Sequence, residues 1–74
     1  MDIRRIVAEN IRFMRQKRGL SQEALAADAE MSRSYIGYVE RAEKTLSIIS
    51  IQKIAKILEV EPYELLIPGL YRDT

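Results

Sequence analysis

Along the first eighteen positions, apolar residues recur at offsets of three, four and seven, at Ile3, Ile6, Val7, Ile11 and Met14. That spacing predicts an amphipathic helix. Its end is marked by Arg15, Lys17 and Arg18 in the last turn, where cations meet the negative end of the helix dipole, and by Gly19, which can take the left-handed cap conformation. Phe13 lies off the stripe and is expected to make a partial core contact. Ser21 is a good N-cap for a short second helix with Glu23 in its first turn and Leu25, Ala26 and Ala29 facing inward. Ser32 caps a third helix reaching about Arg41, with Tyr35, Ile36 and Val39 as its apolar surface. After the polar connector Arg41-Ala42-Glu43-Lys44-Thr45, Ser47 caps a fourth helix striped by Ile48, Ile51, Ile54, Ala55 and Leu58. Pro62 at an N1-like position starts a short fifth helix carrying Tyr63, Leu65 and Leu66, which Pro68-Gly69 ends. No segment alternates like a strand. The pattern predicts a compact, all-α domain of five short helices spanning residues 1–74, with no repeat and no separate linker.

Composition narrows the chemistry. With 74 residues, the chain buries only roughly 60% of its unfolded surface, so it needs very regular helix packing, a staple or a partner subunit. The sequence contains no Cys and no His. Disulfides, thiolate or imidazole metal sites, Ser-His-Asp or Cys-His triads and imidazole acid–base catalysis are therefore excluded, and neither metal nor cofactor is expected. Acidic side chains are dispersed over helical faces and leave little room for a substrate pocket, so an enzyme is the poorest reading. No apolar run approaches the ~20 residues a bilayer requires, and no signal-peptide pattern follows the first Met; a cytoplasmic protein without a membrane partner is expected.

The net charge of +1 hides a gradient. Residues 1–18 carry six Lys or Arg against two acids, residues 19–58 carry five against five, and residues 59–74 carry one against four. One face suited to phosphate and another suited to avoiding it would produce this division, as would ordinary solvated helix faces.

The window from Ser21 to Arg41 reads as a short helix, a tight turn and a second helix whose exposed first turn is polar. DNA-binding helix-turn-helix units need this arrangement, because the second helix enters a major groove about 12 Å wide while the first braces it across the backbone. Ala26 supplies the small residue where the pair crosses, and Leu25, Ala29, Met31, Ile36 and Val39 seal it against the rest of the domain.

These residues resemble the Cro and lambda-repressor type of helix-turn-helix regulators, the XRE family. The resemblance covers residues 11 to 66 and rests on Arg18-Gly19-Leu20-Ser21-Gln22-Glu23, Leu25-Ala26, Ser32, Tyr35-Ile36, Glu40-Arg41 and Lys53-Ile54-Ala55-Lys56 with Leu58 and Val60. Length, acidic C-terminal end and layout look most like the small controller proteins of bacterial restriction-modification systems. The resemblance implies a lambda-repressor-like domain whose helices 2 and 3 form the helix-turn-helix (about 21–41), with dimerisation through about 47–70. Two departures stand out. Where the family commonly has Gly in the turn this chain has Glu30, which implies a slightly remodelled turn. Where relatives often have Ser in the recognition helix it has Gly37, which either bares backbone to a base edge or relieves crowded packing.

Residue roles follow from the same resemblance. Arg33, Ser34 and Gly37 fall on positions that read bases, with Tyr35 close by. Arg33 has the planar fork that bonds guanine O6 and N7, a phosphate contact being its alternative. Gln22 resembles the family glutamine that bonds a phosphate, and free N–H groups at its helix start suit an anion. Lys17 and Arg18 either add charge there or complete the first helix, and Ser32 joins the phosphate set. Arg41, Lys44, Thr45 and Ser47 resemble loop contacts to phosphate, Ser47 serving equally as a cap. Interior ring packing is the default for Tyr35 and Tyr38. Glu40, acidic beside the DNA face, is assigned to a partly buried structural ion pair with Arg15.

Twofold-related recognition helices read half-sites about 34 Å apart, so a homodimer is expected. Ile49 and Ile57 lie outside the core stripe, and Tyr63, Leu66 and Ile67 crowd a short segment, which makes them the expected interface. The leading reading is a dimeric regulator on a pseudo-palindromic, double-stranded operator, autoregulating its gene and controlling restriction-modification genes. Paired dimers and RNA polymerase, the latter met by Glu23, Asp28 and Glu30, are further candidate partners, although solubility alone explains those acids. The alternatives are a phage-type repressor, or an antitoxin-like module that docks a protein partner.

Overall fold

Helices α1 (Ile3–Lys17), α2 (Gln22–Asp28), α3 (Arg33–Glu40) and α4 (Ile48–Leu58) are followed by a 3-10 segment, Pro62–Leu66. The computed structural model describes residues 2–70, and no strand occurs among them. Each α-helix starts on a side chain that accepts a free amide of its first turn. Asp2 accepts from the Arg4 N–H, Ser21 from Ala24, Ser32 from Tyr35 and Ser47 from Ser50. Hydrogen bonds from the side chain and then the backbone of Arg4 hold the Asp2 carboxyl below its ordinary value.

The four α-helices also share one ending. Gly19, Glu30, Ala42 and Glu59 stand at φ between 58° and 69°, in the left-handed region. The next N–H of each reaches back five residues: Leu20 to the Arg15 carbonyl, Met31 to Ala26, Glu43 to Tyr38 and Val60 to Ala55, all at 2.8–3.0 Å. This is the double-bonded Schellman ending, which satisfies helix carbonyls that would otherwise lack donors. Only Gly19 takes the conformation without a Cβ penalty; at Glu30, Ala42 and Glu59 the cost is about 1–2 kcal/mol each. The turn between α2 and α3 is therefore not remodelled around Glu30, contrary to expectation. Its closing bond is the shortest of the four, at 2.8 Å, so Glu30 absorbs strain in a standard turn.

The expected fifth α-helix is instead the 3-10 segment, giving four α-helices rather than five. Three- rather than four-residue closure is visible in Glu64 N–H to Glu61 O at 2.9 Å and Ile67 N–H to Glu64 O at 3.3 Å. The segment cannot run on as an α-helix, because Pro68 has no N–H to give the Glu64 carbonyl, and its end is held from α1: the buried Asn10 side chain donates from Nδ2 towards the carbonyls of Leu65 (2.9 Å), Ile67 (3.0 Å) and Glu64 (3.4 Å).

α3 is clamped between α1 and α2, while the 3-10 segment packs on α1 and α4. Ile11, Leu25, Ile36, Val39, Ile54, Leu58 and Leu65 are fully buried, so every element contributes to one core, and each such side chain is worth ~1.5–3 kcal/mol of burial. Phe13 packs partly against this cluster. Leu46, which directly follows the polar connector and which the helical stripes do not include, is also buried. It precedes the Ser47 cap and pairs in position with Ile51 four residues into α4, the spacing of a hydrophobic staple. Two residues of the sequence stripes lie outside the core: Ile3 is 47% and Ile48 84% exposed. Both open their helices, and helical side chains lean over the preceding turn, which at a helix start does not exist. Among the described residues, no helix is long and apolar enough to cross a membrane.

Candidate nucleic-acid interface

Helix α3 is held from behind by one carboxylate. Glu40, 3% exposed, accepts from Arg15 Nε at 2.7 Å and Arg15 Nη2 at 3.0 Å, and a third bond comes from Gln22 Nε2 at 3.1 Å. Arg15 Nη1 also donates to the Leu20 carbonyl at 2.7 Å, and Arg12 Nη1 to the Glu40 carbonyl at 2.9 Å. α1, α2 and α3 thus converge on a charge that is taken from water only because three donors replace its hydration. No buried side-chain nitrogen or oxygen among the described residues lacks a partner. The Gln22 amide turns inward to this network and spends one of its two N–H groups on Glu40.

On the outer side of α3, Arg33 and Ser34 are exposed, and neither side chain has a hydrogen bond or ion pair within the described residues. Tyr35, placed near the base-reading positions with ring packing as its default, follows the default: its hydroxyl donates to the Thr45 carbonyl at 2.6 Å and its ring packs half-buried against the core, so it braces the loop after α3. Tyr38, expected inside, is 38% exposed, because the inward side of α3 is already filled by Ile36, Val39 and Glu40. It carries the Arg41 guanidinium 5.2 Å and the Lys44 ammonium 5.1 Å from its ring centre. Gly37 does not present bare backbone to solvent. It is buried, and the Arg41 guanidinium lies over it, with Nη1 3.1 Å from where a Cβ would stand.

The flanking cations and hydroxyls divide into two groups. Lys17, Lys44 and Thr45 are exposed, as is Ser32, whose oxygen caps α3 by accepting and whose proton remains available to donate. Arg18 is engaged elsewhere. Its Nε donates to the Leu58 carbonyl at 2.9 Å and its Nη1 to Glu59 at 2.6 Å, so it closes the C-terminal end of α4, where a cation is favoured by the dipole, instead of reaching a phosphate. The Ser47 hydroxyl is likewise spent, accepting from the Ser50 N–H and donating to Ser50 Oγ at 3.0 Å. Arg41 pairs through Nε with Glu43 at 2.8 Å.

A different surface is apolar. Ile49 (61% exposed), Tyr63 (62%), Leu66 (40%) and Ile67 (36%) lie on α4 and the segment packed against it, where Ile48 and Leu70 extend the set. Ile57 is partly withdrawn from this set, half-buried against the core. These residues are of the kind that dimer surfaces use, and the α3 face is of the kind that a groove accepts.

A helix-turn-helix family model (HTH_3) matches residues 11–65. The chain is 39% identical over 67 residues to a hypothetical transcription factor of Neisseria meningitidis, covering 90% of this chain and 63% of that protein, slightly under two thirds of its length. It is 42% identical over 66 residues to the control protein C.SmaI of Serratia marcescens, covering 89% and 79%. Among solved structures, the restriction-modification controller protein C.AhdI of Aeromonas hydrophila superposes with a TM-score of 0.80 at 40% identity, covering 84% of this chain and 94% of that one.

Proposed function

The chain belongs to the helix-turn-helix (XRE-type) family of transcription regulators, and from that premise we propose that it is a sequence-specific DNA-binding protein. In this reading it acts as a homodimer on a pseudo-palindromic operator, and it controls restriction-modification genes together with its own gene, as its likeness to the controller proteins suggests. The observation that carries the reading is the contrast across α3. Its inner side is locked by the Arg15–Glu40–Gln22 network, whereas Arg33 and Ser34 on its outer side are free. A rigid helix with unspent donors is what readout of base edges requires, since the backbone that carries those donors is already ordered and only their side chains remain to be fixed on binding.

Arg33 donates from two nitrogens to guanine O6 and N7, and Ser34 bonds an adjacent base edge. The second Gln22 N–H, the Ser32 hydroxyl, Lys44 and Thr45 meet phosphates and set the register without reading sequence. Ile48, Ile49, Tyr63, Leu66, Ile67 and Leu70 join two copies, so that both α3 helices address half-sites about one helical turn apart.

Titrating the protein against the duplex upstream of its own gene and against random duplex, at several salt concentrations, tests this. Log affinity is expected to fall with log salt at about −0.9 per neutralised phosphate, with footprinting showing two symmetric half-sites. Equal affinity for both duplexes, or none for either, would favour the protein-docking alternative.

A further inference from the structure

We propose that Gly37 is a seat for Arg41, and that the two together make Arg41 a second base-reading arginine on α3 rather than a loop contact to phosphate; this deepens the DNA-binding reading and rests on it. Arg33, Gly37 and Arg41 follow one another at four-residue spacing, which aligns them in a single row along the helix. Helical side chains lean towards the N-terminus, so an arginine rooted at the end of α3 folds back about one turn, over position 37.

A Cβ at 37 would stand 3.1 Å from Arg41 Nη1 and 3.9 Å from Cζ, so the guanidinium keeps this seat only over a glycine and would have to shift by a few tenths of an ångström for any other residue. The backbone supplies no other reason, since Gly37 is helical and is not among the residues with positive φ. A helix interior also loses about 1 kcal/mol by carrying Gly instead of Ala. The space is used by one group, the guanidinium.

That guanidinium is held on two sides. Nε is bonded to Glu43 at 2.8 Å, and Cζ sits 5.2 Å from the centre of the Tyr38 ring, whose other neighbour is Lys44 at 5.1 Å. The remaining edge, with Nη1 and Nη2, carries no bond within the described residues, and the side chain is 55% exposed. A planar fork with one edge fixed and the other free suits bidentate bonding to guanine O6 and N7; a phosphate accepts from the same edge, and contact with one would weaken binding uniformly on all sequences instead of at one base pair.

The test compares wild type, R33A, R41A, R41K, G37A and the G37A/R41A double variant on duplexes selected by the wild type from a randomised pool and on every single-base-pair change of them. R41A is expected to lose about tenfold discrimination at one base pair per half-site, different from the one lost in R33A. R41K, which keeps the charge without the fork, and G37A, which displaces it, should lose discrimination at the same base pair. The double variant should lose no more than either single change. G37A should melt at or above the wild-type temperature, so its effect on DNA is not one of unfolding. Uniform weakening of R41A on all duplexes, or full discrimination in G37A, overturns the proposal. A wild type without preference for any duplex overturns the parent reading as well, which separates the two failures.

Discussion

The guanidinium of Arg15 grips both oxygens of Glu40, at 2.7 and 3.0 Å, across a sequence separation of 25 residues. The two side chains are only 11% and 2% exposed, so the pair is a buried one whose value comes from completeness. Removing either member strands the other charge, which costs about 3–5 kcal/mol. A chain of this size has a total stability of roughly 4–11 kcal/mol, so R15A and E40A are expected to lose most of their cooperative urea unfolding at 25 °C. A loss under about 1 kcal/mol would place the pair with ordinary surface bridges.

Asn10 holds the 3-10 segment by donating to backbone carbonyls, and Asn10→Asp replaces that donor with an acceptor of the same shape. At neutral pH the variant should lose about 3 kcal/mol, since a carboxylate would face oxygens at 2.9–3.0 Å in a buried site. The pH dependence has a defined sign. Burial opposite acceptors raises the folded pKa of the new carboxyl above its unfolded value, so the protonated form favours the native state and stability recovers as pH falls. Equilibrium unfolding of N10D and wild type between neutral and mildly acid pH checks this, and a pH-independent gap between them would refute it.

The helix endings offer stabilising changes. Ala42 at φ 61° and Glu30 at φ 58° each take a conformation that Gly adopts freely. A42G and E30G are expected to gain about 0.5–1 kcal/mol each, the relief of left-handed strain less the backbone entropy of Gly. Thermal midpoints should rise by roughly 2–8 °C. Unchanged or lowered midpoints would mean that the new backbone freedom outweighs the strain.

Arg33 and Arg18 separate recognition from stability. R33A should weaken binding to the preferred duplex about 5–100-fold while random-duplex affinity largely survives. R18A should leave the ratio between duplexes unchanged and instead reduce thermal stability, because its guanidinium serves the Leu58 carbonyl and Glu59. Quantitative binding on both duplexes, with a melt for each variant, distinguishes these outcomes.

Charge placed on the apolar surface should separate two copies without unfolding one. I49D and L66D, at positions 61% and 40% exposed, are expected to sediment as folded monomers and to lose cooperative operator binding. A wild-type-like dimer in the double variant would put the interface elsewhere.

Much of the fold was legible because its signals are local. Ser21, Ser32 and Ser47 announce helix starts, and Gly19 an ending, through bonds that span at most five residues. The polar, exposed first turn of α3 followed from the local pattern, and the family resemblance singled out Arg33 and Ser34 within it. Where a residue sits at the end of its stripe, periodicity misleads: Ile3 and Ile48 have the right spacing but no neighbouring turn to cover them. Spacing likewise does not show that the carbonyls of Leu65 and Ile67, where the 3-10 segment ends, are held by Asn10 more than fifty residues earlier.

The sequence by itself determined where the α-helices begin and end, which faces are apolar and which helix presents a polar first turn to solvent, because capping and burial stripes depend on neighbours within a turn or two. Only the tertiary structure decided what each polar side chain does. It spent Arg18 on the end of α4, Tyr35 on the loop carbonyl of Thr45 and Gln22 on Glu40, and it laid Arg41 across Gly37. A long polar side chain can satisfy any of several partners, and which one it meets is set by packing between elements distant in the chain.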